Sequence, residues 1–320
     1  MAKNDVVRLG LIQHACSANP KQNLDRAVEL IREAARRGAQ IVVTQELFSL
    51  PYFPATEDVR HFELAEPIPG PTYRRLSDLA AELGVFMVAS LFEKRAVGIY
   101  HNTAVMIDGT ADRAEASSGG ASGGASGGGR YRKMHIPDDP GFYEKFYFTP
   151  GDAPAPGGLE DCWAIQQTPY ATTGVLICWD QWFPEAARLM ALRGAQILLY
   201  PTAIAWSRDT TPVEQRRQFE AWQTVQRGHA IANGVFVAAI NRVGVEQDLR
   251  FWGRSFVADP SGQIIAEADA SKEQVLVADC DLACIAKWRH DWPFLRDRRV
   301  DAYGGLLERY LGNGPLESRL

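Results

Sequence analysis

The length, composition and charge of the chain set the first limits on its function. With 320 residues, 46% of them hydrophobic, it can bury a large core, and we predict a single domain over 1–320. The net charge of −5 argues against a nucleic-acid partner and is compatible with a cationic ligand. No apolar run approaches the roughly 20 residues that span a bilayer, so we predict no membrane partner.

The cysteines indicate a reducing compartment. Their number is odd, the chain is too long to need disulfide staples, and the first residues contain no apolar segment typical of a signal peptide; the five are Cys16, Cys162, Cys178, Cys280 and Cys284. We therefore expect free thiols and a cytoplasmic location. Because Cys280 and Cys284 lack a second pair of cysteine or histidine residues, we predict no zinc site, and we expect no other metal or cofactor.

The first half of the chain predicts alternating strands and helices, the pattern of an α/β fold. The predicted elements are strands at 6–13, 41–43, 85–89 and 102–108 and helices at about 23–37 and 71–83. Apolar residues three or four positions apart give each helix one apolar face, and Gly38 suits the position just after the first helix. The strand at 41–43 ends shortly before Glu46, which places a carboxylate at the edge of the core.

The segment 116–129 contains only serine, glycine and alanine. Such a composition cannot bury enough apolar surface to offset the entropy lost on ordering, so we expect a flexible loop. The apolar strand before the segment and residues 130–133 after it are predicted to form the two arms of a hairpin. A linker between domains is the alternative.

The stretch around Cys178 is the main candidate for a reactive centre. Residues 175–177 are a short apolar run typical of a strand buried on both faces, and Pro184 suits the first turn of a following helix. The thiol therefore lies on a turn between a strand and a helix, where nearby backbone N–H groups favour a thiolate and an oxyanion. From these residues alone, Cys178 is either a nucleophile or a buried small hydrophobic residue.

The second half of the chain repeats a module of the first. The sequence Gly-Ala-Gln stands between a helix and a strand at 38–40 and again at 194–196, which predicts two similar layers. Further predicted elements are helices at 184–192 and 212–233 and strands at 197–200, 235–241, 253–259 and 274–279. The region from about 288 to 320 is rich in arginine and aromatic residues, and we expect it to pack on a partner subunit of a homo-oligomer.

Several charged residues near predicted strand ends could serve the thiol. Glu46 could be a base or an exposed capping acid, and Lys133 could stabilise an oxyanion or lie on a solvated strand. Glu144 stands between aromatic residues, which is typical of a desolvated carboxylate. His135 and His229 are rival bases, although His229 lies in the middle of a predicted helix and suits a core position better. The residues alone leave these alternatives open.

Three segments resemble the signature segments of the nitrilase, or carbon–nitrogen hydrolase, superfamily, in the family's order. They are Thr-Gln-Glu-Leu-Phe at 44–48, Tyr-Arg-Lys-Met-His-Ile-Pro at 131–137 and Ile-Cys-Trp-Asp-Gln-Trp-Phe-Pro-Glu at 177–185. A closer likeness, to the branch that hydrolyses N-carbamoylputrescine, is carried by 135–148, 230–234, 251–253 and 292–299. The likeness covers nearly the whole chain; the segment 116–129 departs from it, because the family has a short hairpin turn there.

The resemblance implies a fold and a set of catalytic roles. The expected fold is α/β with mixed sheets, arranged as a four-layer α-β-β-α sandwich. The expected triad has Glu46 as the base and Cys178 as the nucleophile. Lys133 and the backbone N–H of Trp179 would stabilise the oxyanion. Glu144 matches the family's second glutamate and would orient the lysine and the substrate nitrogen.

The implied reaction cleaves the ureido C–N bond of an N-carbamoyl amine, N-carbamoylputrescine in the first place, to putrescine, carbon dioxide and ammonia, as in polyamine biosynthesis. Asp138 is the candidate for binding the distal ammonium, and Tyr52, Trp179 and Trp206 are candidates for the walls around the butyl chain, although each could be structural. The alternatives are a β-ureidopropionase-like or aliphatic amidase activity, or a catalytically idle scaffold whose lysine hairpin is disrupted.

Overall fold

The computed structural model describes residues 5–110, 129–152, 163 and 165–312, and the segment predicted as a flexible loop, 116–129, lies outside them except for its last residue. The strands are β1 Val6–Gln13, β2 Ile41–Thr44, β3 Phe86–Ala96, β4 Ile99–Asp108, β5 Arg130–Arg132, β6 Ile165–Gln167, β7 Thr172–Val175, β8 Ile197–Pro201, β9 Ala205–Ser207, β10 Phe236–Ile240, β11 Val243–Glu246, β12 Leu249–Trp252, β13 Phe256–Ala258, β14 Ile264–Glu267 and β15 Gln274–Asp281. The helices are α1 Pro20–Arg36, α2 Pro71–Leu83, α3 Glu144–Tyr147, α4 Pro184–Leu192, α5 Pro212–Asn233 and α6 Ala283–Asp291.

Two six-stranded sheets form the centre of the molecule. The first has the order β15-β1-β2-β3-β4-β5 and the second β14-β13-β10-β8-β7-β6. In each sheet three strands run parallel, β1-β2-β3 in the first and β7-β8-β10 in the second, and the outer strands pair antiparallel. Strands β11, β12 and β9 form a small antiparallel sheet.

Neighbouring residues along the central strands face different cores, because side chains alternate across a strand. Leu11 and Val43 belong to a cluster that includes residues of the second sheet and of α4 and α5, such as Met190. Ile12 and Val42 belong to a second cluster, which includes residues of α1 and α2. The layers are therefore helix, sheet, sheet and helix, and the expected four-layer α-β-β-α sandwich is confirmed.

The Gly-Ala-Gln module has the same structure in both halves of the chain. Gln40 Oε1 accepts a hydrogen bond from the backbone N of Arg8 at 2.9 Å, and the backbone N of Gln40 donates to the carbonyl of Arg8 at 2.8 Å. Gln196 makes the corresponding bonds with Thr172, at 2.9 and 2.8 Å. The glycine of each module has a positive φ, 82° and 102°, which lets the chain leave the helix and enter the strand. The module thus fixes β2 beside β1 and β8 beside β7.

Two predicted boundaries differ from the structure for local reasons. Helix α1 begins at Pro20 rather than near Asn23, because the side chain of Asn19 accepts hydrogen bonds from the backbone N–H groups of the first turn and so caps the helix. The strand predicted at 253–259 is reduced to β13, because Gly253 and Arg254 both have positive φ, 57° and 52°, which interrupts an extended strand. Within the described part of the chain, no helix is long and apolar enough to cross a membrane.

Candidate active site

Cys178 lies on a tight turn between β7 and α4. The apolar run ends at Ile177, and Cys178–Trp182 form a single 3₁₀ turn before Pro184 begins α4. Cys178 has a φ of 43°, a conformation that residues other than glycine adopt rarely and at a cost in energy. The residue is only 6% exposed and lines a cavity of about 400 Å³. The backbone thus holds the thiol in a strained geometry at the wall of a cavity.

Three buried charged groups meet beside this thiol. Lys133 Nζ donates to Glu46 Oε1 at 2.8 Å and to Glu144 Oε2 at 2.6 Å, and all three side chains are fully buried. Electrostatic interactions link the same three groups to Cys178. The structure therefore brings together the two carboxylates, the ammonium and the thiol that the sequence placed far apart along the chain.

Glu46 is held by one carboxylate oxygen only. Its Oε1 accepts from Asn102 Nδ2 at 2.7 Å as well as from Lys133. Its Oε2 is buried and has no hydrogen-bond partner among the residues that the structure describes. Leaving a buried carboxylate oxygen unpaired is costly, so this atom is suited to accept a proton. One oxygen orients the group and the other is free to react.

Lys133 follows β5 directly and is fixed by the backbone on both sides. Its N–H donates to the carbonyl of Asn102 at 2.9 Å, and its carbonyl accepts from the N–H of Gly151 at 2.9 Å. An ammonium has three N–H donors, and the two glutamates use two of them. Among the residues that the structure describes, the third N–H has no further acceptor and is available for a developing negative charge.

Burial and the neighbouring charges together set the protonation states of this cluster. Burial raises the pKa of the Cys178 thiol well above its ordinary value, and the carboxylate of Glu46 raises it further, while Lys133 acts in the opposite direction. Burial likewise raises the pKa of Glu144 to about 7, against the effect of Lys133. For Lys133 burial acts to lower the pKa, but the two carboxylates together hold it above the ordinary value. The resting thiol therefore keeps its proton and needs a base.

The cavity beside the thiol is mainly apolar. It is lined by Pro137, Asp139, Pro140, Phe142, Glu144, Cys178, Trp179, Trp182, Ala203, Ile204, Ala205, Ser207, Thr210, Gln218, Ala221 and Trp252. Asp139 and Glu144 are the acids among the described residues of this lining. An apolar cavity with a few polar groups is typical of a site for a small organic molecule.

The structure places Trp179 on the cavity wall, but the other three predicted substrate-binding residues lie elsewhere. Tyr52 is buried, and its hydroxyl donates to Glu144 Oε1 at 2.8 Å, so it supports a carboxylate instead of lining the cavity. Trp206 lies on β9 between two lining residues, and strand alternation turns its ring to Trp252, at 5.0 Å between centroids. Asp138 is exposed and is not among the lining residues.

Comparison with known proteins identifies the family. The chain matches the family model for carbon-nitrogen hydrolase over residues 8–290. The chain belongs to the carbon–nitrogen hydrolase family. It is 42% identical over 314 residues to N-carbamoylputrescine amidase from Solanum lycopersicum, a match that covers 95% of this chain and 96% of the relative. A citrullinase from Francisella tularensis is 38% identical over 309 residues, which are 95% of this chain and 99% of the relative.

A solved structure agrees with this assignment. The crystal structure of a carbon–nitrogen hydrolase from Helicobacter pylori G27 is 42% identical and has a TM-score of 0.85, over 96% of this chain and 100% of that one. The present carbon–nitrogen hydrolase accordingly acts on carbon–nitrogen bonds other than peptide bonds.

The two histidines that rivalled Glu46 as bases make other contacts in this hydrolase. His229 is buried in α5, and its Nε2 bonds to the backbone carbonyl of Gln181 at 2.8 Å. His135 Nδ1 lies 2.7 Å from Asp180 Oδ1. Both rings are therefore engaged with the turn that follows Cys178, and the first interpretation of His229 as a core residue agrees with its burial.

Sequence reasoning missed several residues that support the site of the hydrolase. Asn102 holds Glu46, and the buried guanidinium of Arg242 donates to the backbone carbonyl of Glu46 at 2.8 Å and to that of Leu47 at 3.1 Å. A signal for Asn102 was present, because a polar residue at the start of a predicted apolar strand needs a buried partner. No local pattern points from Arg242 to residues almost two hundred positions earlier.

Proposed function

We propose that this chain is a cysteine amidohydrolase that cleaves the ureido C–N bond of an N-carbamoyl amine, N-carbamoylputrescine in the first place. We also propose that Glu46, Lys133 and Cys178 are its catalytic triad. The observation that carries both proposals is the cluster of these three groups and a second carboxylate beside one apolar cavity, which Cys178 and Glu144 line. The named activity of the tomato relative, which matches over almost the full length of both chains, supports the substrate.

The first half of the reaction breaks the bond to ammonia. Oε2 of Glu46 takes the proton of Cys178, and the thiolate sulfur attacks the ureido carbonyl carbon, so that a C–S bond forms and the carbonyl electron pair moves to oxygen. The third N–H of Lys133 and the backbone N–H of Trp179 stabilise this oxyanion, a contribution worth roughly 10²–10³ in rate. The oxyanion then collapses, and ammonia leaves with the proton from Glu46.

The second half releases the amine. Glu46, ionised again, takes a proton from a water molecule, and the resulting hydroxide attacks the carbonyl carbon of the carbamoyl thioester. The C–S bond breaks, the sulfur of Cys178 recovers a proton from Glu46, and the carbamic acid that is released decomposes to carbon dioxide and putrescine. Glu144 accepts a hydrogen bond from Lys133 throughout, so it keeps the ammonium aimed at the oxyanion.

The cavity suits a cationic substrate with a short alkyl chain. Trp179, Trp182 and Phe142 supply apolar walls for the butyl segment. We propose Asp139, in place of Asp138, as the partner of the distal ammonium, because Asp139 is on the wall and Asp138 is not. With both glutamates ionised the triad and its second carboxylate carry a net charge of −1, which disfavours substrates that end in a carboxylate.

A panel of substrates tests this proposal. Ammonia release is measured from N-carbamoylputrescine, citrulline, N-carbamoyl-β-alanine and a simple aliphatic amide. We expect the highest kcat/KM for N-carbamoylputrescine and loss of activity in Cys178→Ala, while Cys280→Ala, at a buried thiol on β15, keeps full activity. A higher kcat/KM for N-carbamoyl-β-alanine or for the simple amide would favour the alternative activities.

Two further measurements separate the remaining alternatives. Asp139→Asn should raise KM for the cationic substrate far more than for a neutral amide, whereas Asp138→Asn should leave both unchanged; equal effects at the two positions would remove the assignment of Asp139.

Labelling with a limiting amount of iodoacetamide should modify Cys178 before the other thiols. Unselective labelling together with no ammonia release would indicate an idle scaffold.

We also propose that the hydrolase is a cytoplasmic homo-oligomer. The four cysteines in the described part of the chain are free, as a thiol nucleophile requires. Past α6 the described chain exposes several large apolar side chains, among them Trp292, Leu306, Leu307 and Leu311. A second subunit that packs on this surface would cover them. Size-exclusion chromatography of the full chain and of Leu307→Asp tests the association, and a monomeric full chain would contradict it.

A further inference from the structure

Asp180 is a fully buried carboxylate that accepts four hydrogen bonds. Its Oδ1 accepts from the backbone N–H of His135 at 3.0 Å and from His135 Nδ1 at 2.7 Å. Its Oδ2 accepts from the hydroxyl of Tyr131 at 2.7 Å and from the backbone N–H of Ile177 at 2.8 Å. An ionised carboxylate offers about four acceptor positions, so these donors match its full capacity.

One side of this network closes the turn that carries the thiol. Ile177 immediately precedes Cys178, and besides its N–H bond to the Asp180 carboxylate, its carbonyl accepts from the backbone N–H of Asp180 at 3.0 Å. The two bonds form a ring around Cys178 and hold its unusual φ of 43°. A strained residue persists only where its surroundings fix it.

The other side of the network holds the lysine segment. Tyr131 and His135 stand two residues before and two residues after Lys133. The ring of His135 is itself fixed by stacking on Phe183, at 3.7 Å between centroids and 7° between planes. Asp180 therefore accepts hydrogen bonds from residues on both sides of Lys133, and it also closes the turn that bears the thiol.

We propose that Asp180 is a positioning residue that sets the distance between the thiol of Cys178 and the ammonium of Lys133. The proposal rests on the roles proposed above for these two groups. Asp180 is not among the residues that line the cavity, so it acts through its neighbours and not on the substrate. Because the reacting atoms must meet within a few tenths of an ångström, a shift of about 1 Å between them costs about 10² in rate.

The test is Asp180→Asn. The amide has nearly the size of the carboxylate, but its NH₂ group replaces one of the two acceptor oxygens. At least one N–H or O–H group that bonds to Asp180 would therefore meet a second donor in place of its acceptor. We expect kcat to fall by about 10² per folded active site while KM changes by less than about threefold. Tyr131→Phe removes one donor and should lower kcat by a smaller factor, of about five.

Controls separate positioning from a general loss of structure. Glu66→Gln changes another carboxylate that accepts two hydrogen bonds, from the N–H and hydroxyl of Thr72 at the start of α2, and it should leave kcat per folded molecule unchanged. If Asp180→Asn does not fold, the pair Tyr131→Phe and His135→Ala removes a donor on each side of Lys133 and keeps the carboxylate. The proposal would be overturned if the variants that fold keep the wild-type kcat. It would also be overturned if their activity falls only in proportion to the fraction of molecules that is folded.

A second readout needs no substrate. The rate at which iodoacetamide alkylates Cys178 depends on its geometry with the neighbouring base and ammonium. We expect this rate to fall from the wild type to Tyr131→Phe and further to Asp180→Asn. If the wild type releases no ammonia from any compound of the panel but the alkylation rates fall in this order, the proposed function fails and the positioning role stands. Equal alkylation rates in all three proteins would overturn the positioning role.

Discussion

We expect the replacement of Arg242 to lower the stability of the protein strongly. It follows β10, its side chain is fully buried, and its Nη1 donates to Glu246 Oε1 at 2.7 Å. Its guanidinium also reaches the backbone carbonyls of Glu46, Leu47 and Leu50, at distances from 2.8 to 3.5 Å. One buried cation thus holds the loop that carries the proposed base.

The magnitude follows from the groups that Arg242→Met would leave unpaired. Three carbonyls would lose a charged donor, and Glu246, with only 10% of its side chain exposed, would lose its cation. Breaking a buried ion pair from one side costs about 3–5 kcal/mol. The unfolding entropy of a chain of 320 residues makes 1 kcal/mol correspond to about 1.5 °C, so we expect the Tm to fall by about 6 °C.

Urea unfolding followed by tryptophan fluorescence measures the loss in the free energy of unfolding, and thermal unfolding measures the fall in Tm. Arg254→Met is the matched control, because Arg254 pairs with Glu267 at the surface, where both side chains are 30–42% exposed, and the loss should be about 1 kcal/mol or less. The double variant Arg242→Met with Glu246→Gln should be less destabilised than the sum of the single variants. A similar loss for the buried and the exposed arginine would refute the reasoning.

Three further outcomes follow from the structure. Burial raises the pKa of Glu144 to about 7, and the ionised form accepts a hydrogen bond from Lys133, so activity should fall as the pH falls through about 7. In Glu144→Gln this loss of activity at low pH should be absent. An unchanged loss would show that another group causes it. Gly253→Ala should lower the Tm more than Gly84→Ala in thermal unfolding. Both glycines have a positive φ, but only a Cβ at position 253 would meet neighbouring atoms, at 2.5–2.9 Å, and equal losses of Tm would contradict this. Asn102→Leu removes a donor to Glu46 and should lower kcat by about tenfold at unchanged KM, whereas a change in KM alone would contradict a role in orienting the base.

Local sequence signals were sufficient to predict the bounds of helices whose ends are marked by proline and glycine. Helices α2 and α5 have the predicted bounds, because each begins with proline and ends before a glycine in the left-handed conformation, Gly84 and Gly234, with φ of 64° and 58°. The repeat of Gly-Ala-Gln also predicted the two similar layers correctly. These features depend on residues close together in the chain.

Features that depend on distant contacts were not predictable in this way. Strands β11 and β12 are short and partly polar, and they become strands because they pair with each other and with β9. Tyr52 was predicted as a cavity wall, yet it supports Glu144, ninety-two positions later in the chain. The aspartate on the cavity wall is Asp139 instead of Asp138, a difference of one residue that no local pattern in the sequence signals.

The anchoring of Lys133 has a consequence for the glycine-rich connection between β4 and β5. The lysine is fixed by the register of β5 on β4, by the Gly151 N–H and by two carboxylates, and none of these contacts involves residues 116–128. These described contacts set the position of the ammonium, and we therefore predict that it tolerates a change in the number of residues of that connection. An affinity peptide or a fluorescent reporter inserted there should leave turnover intact, which makes this connection the preferred place to label the enzyme.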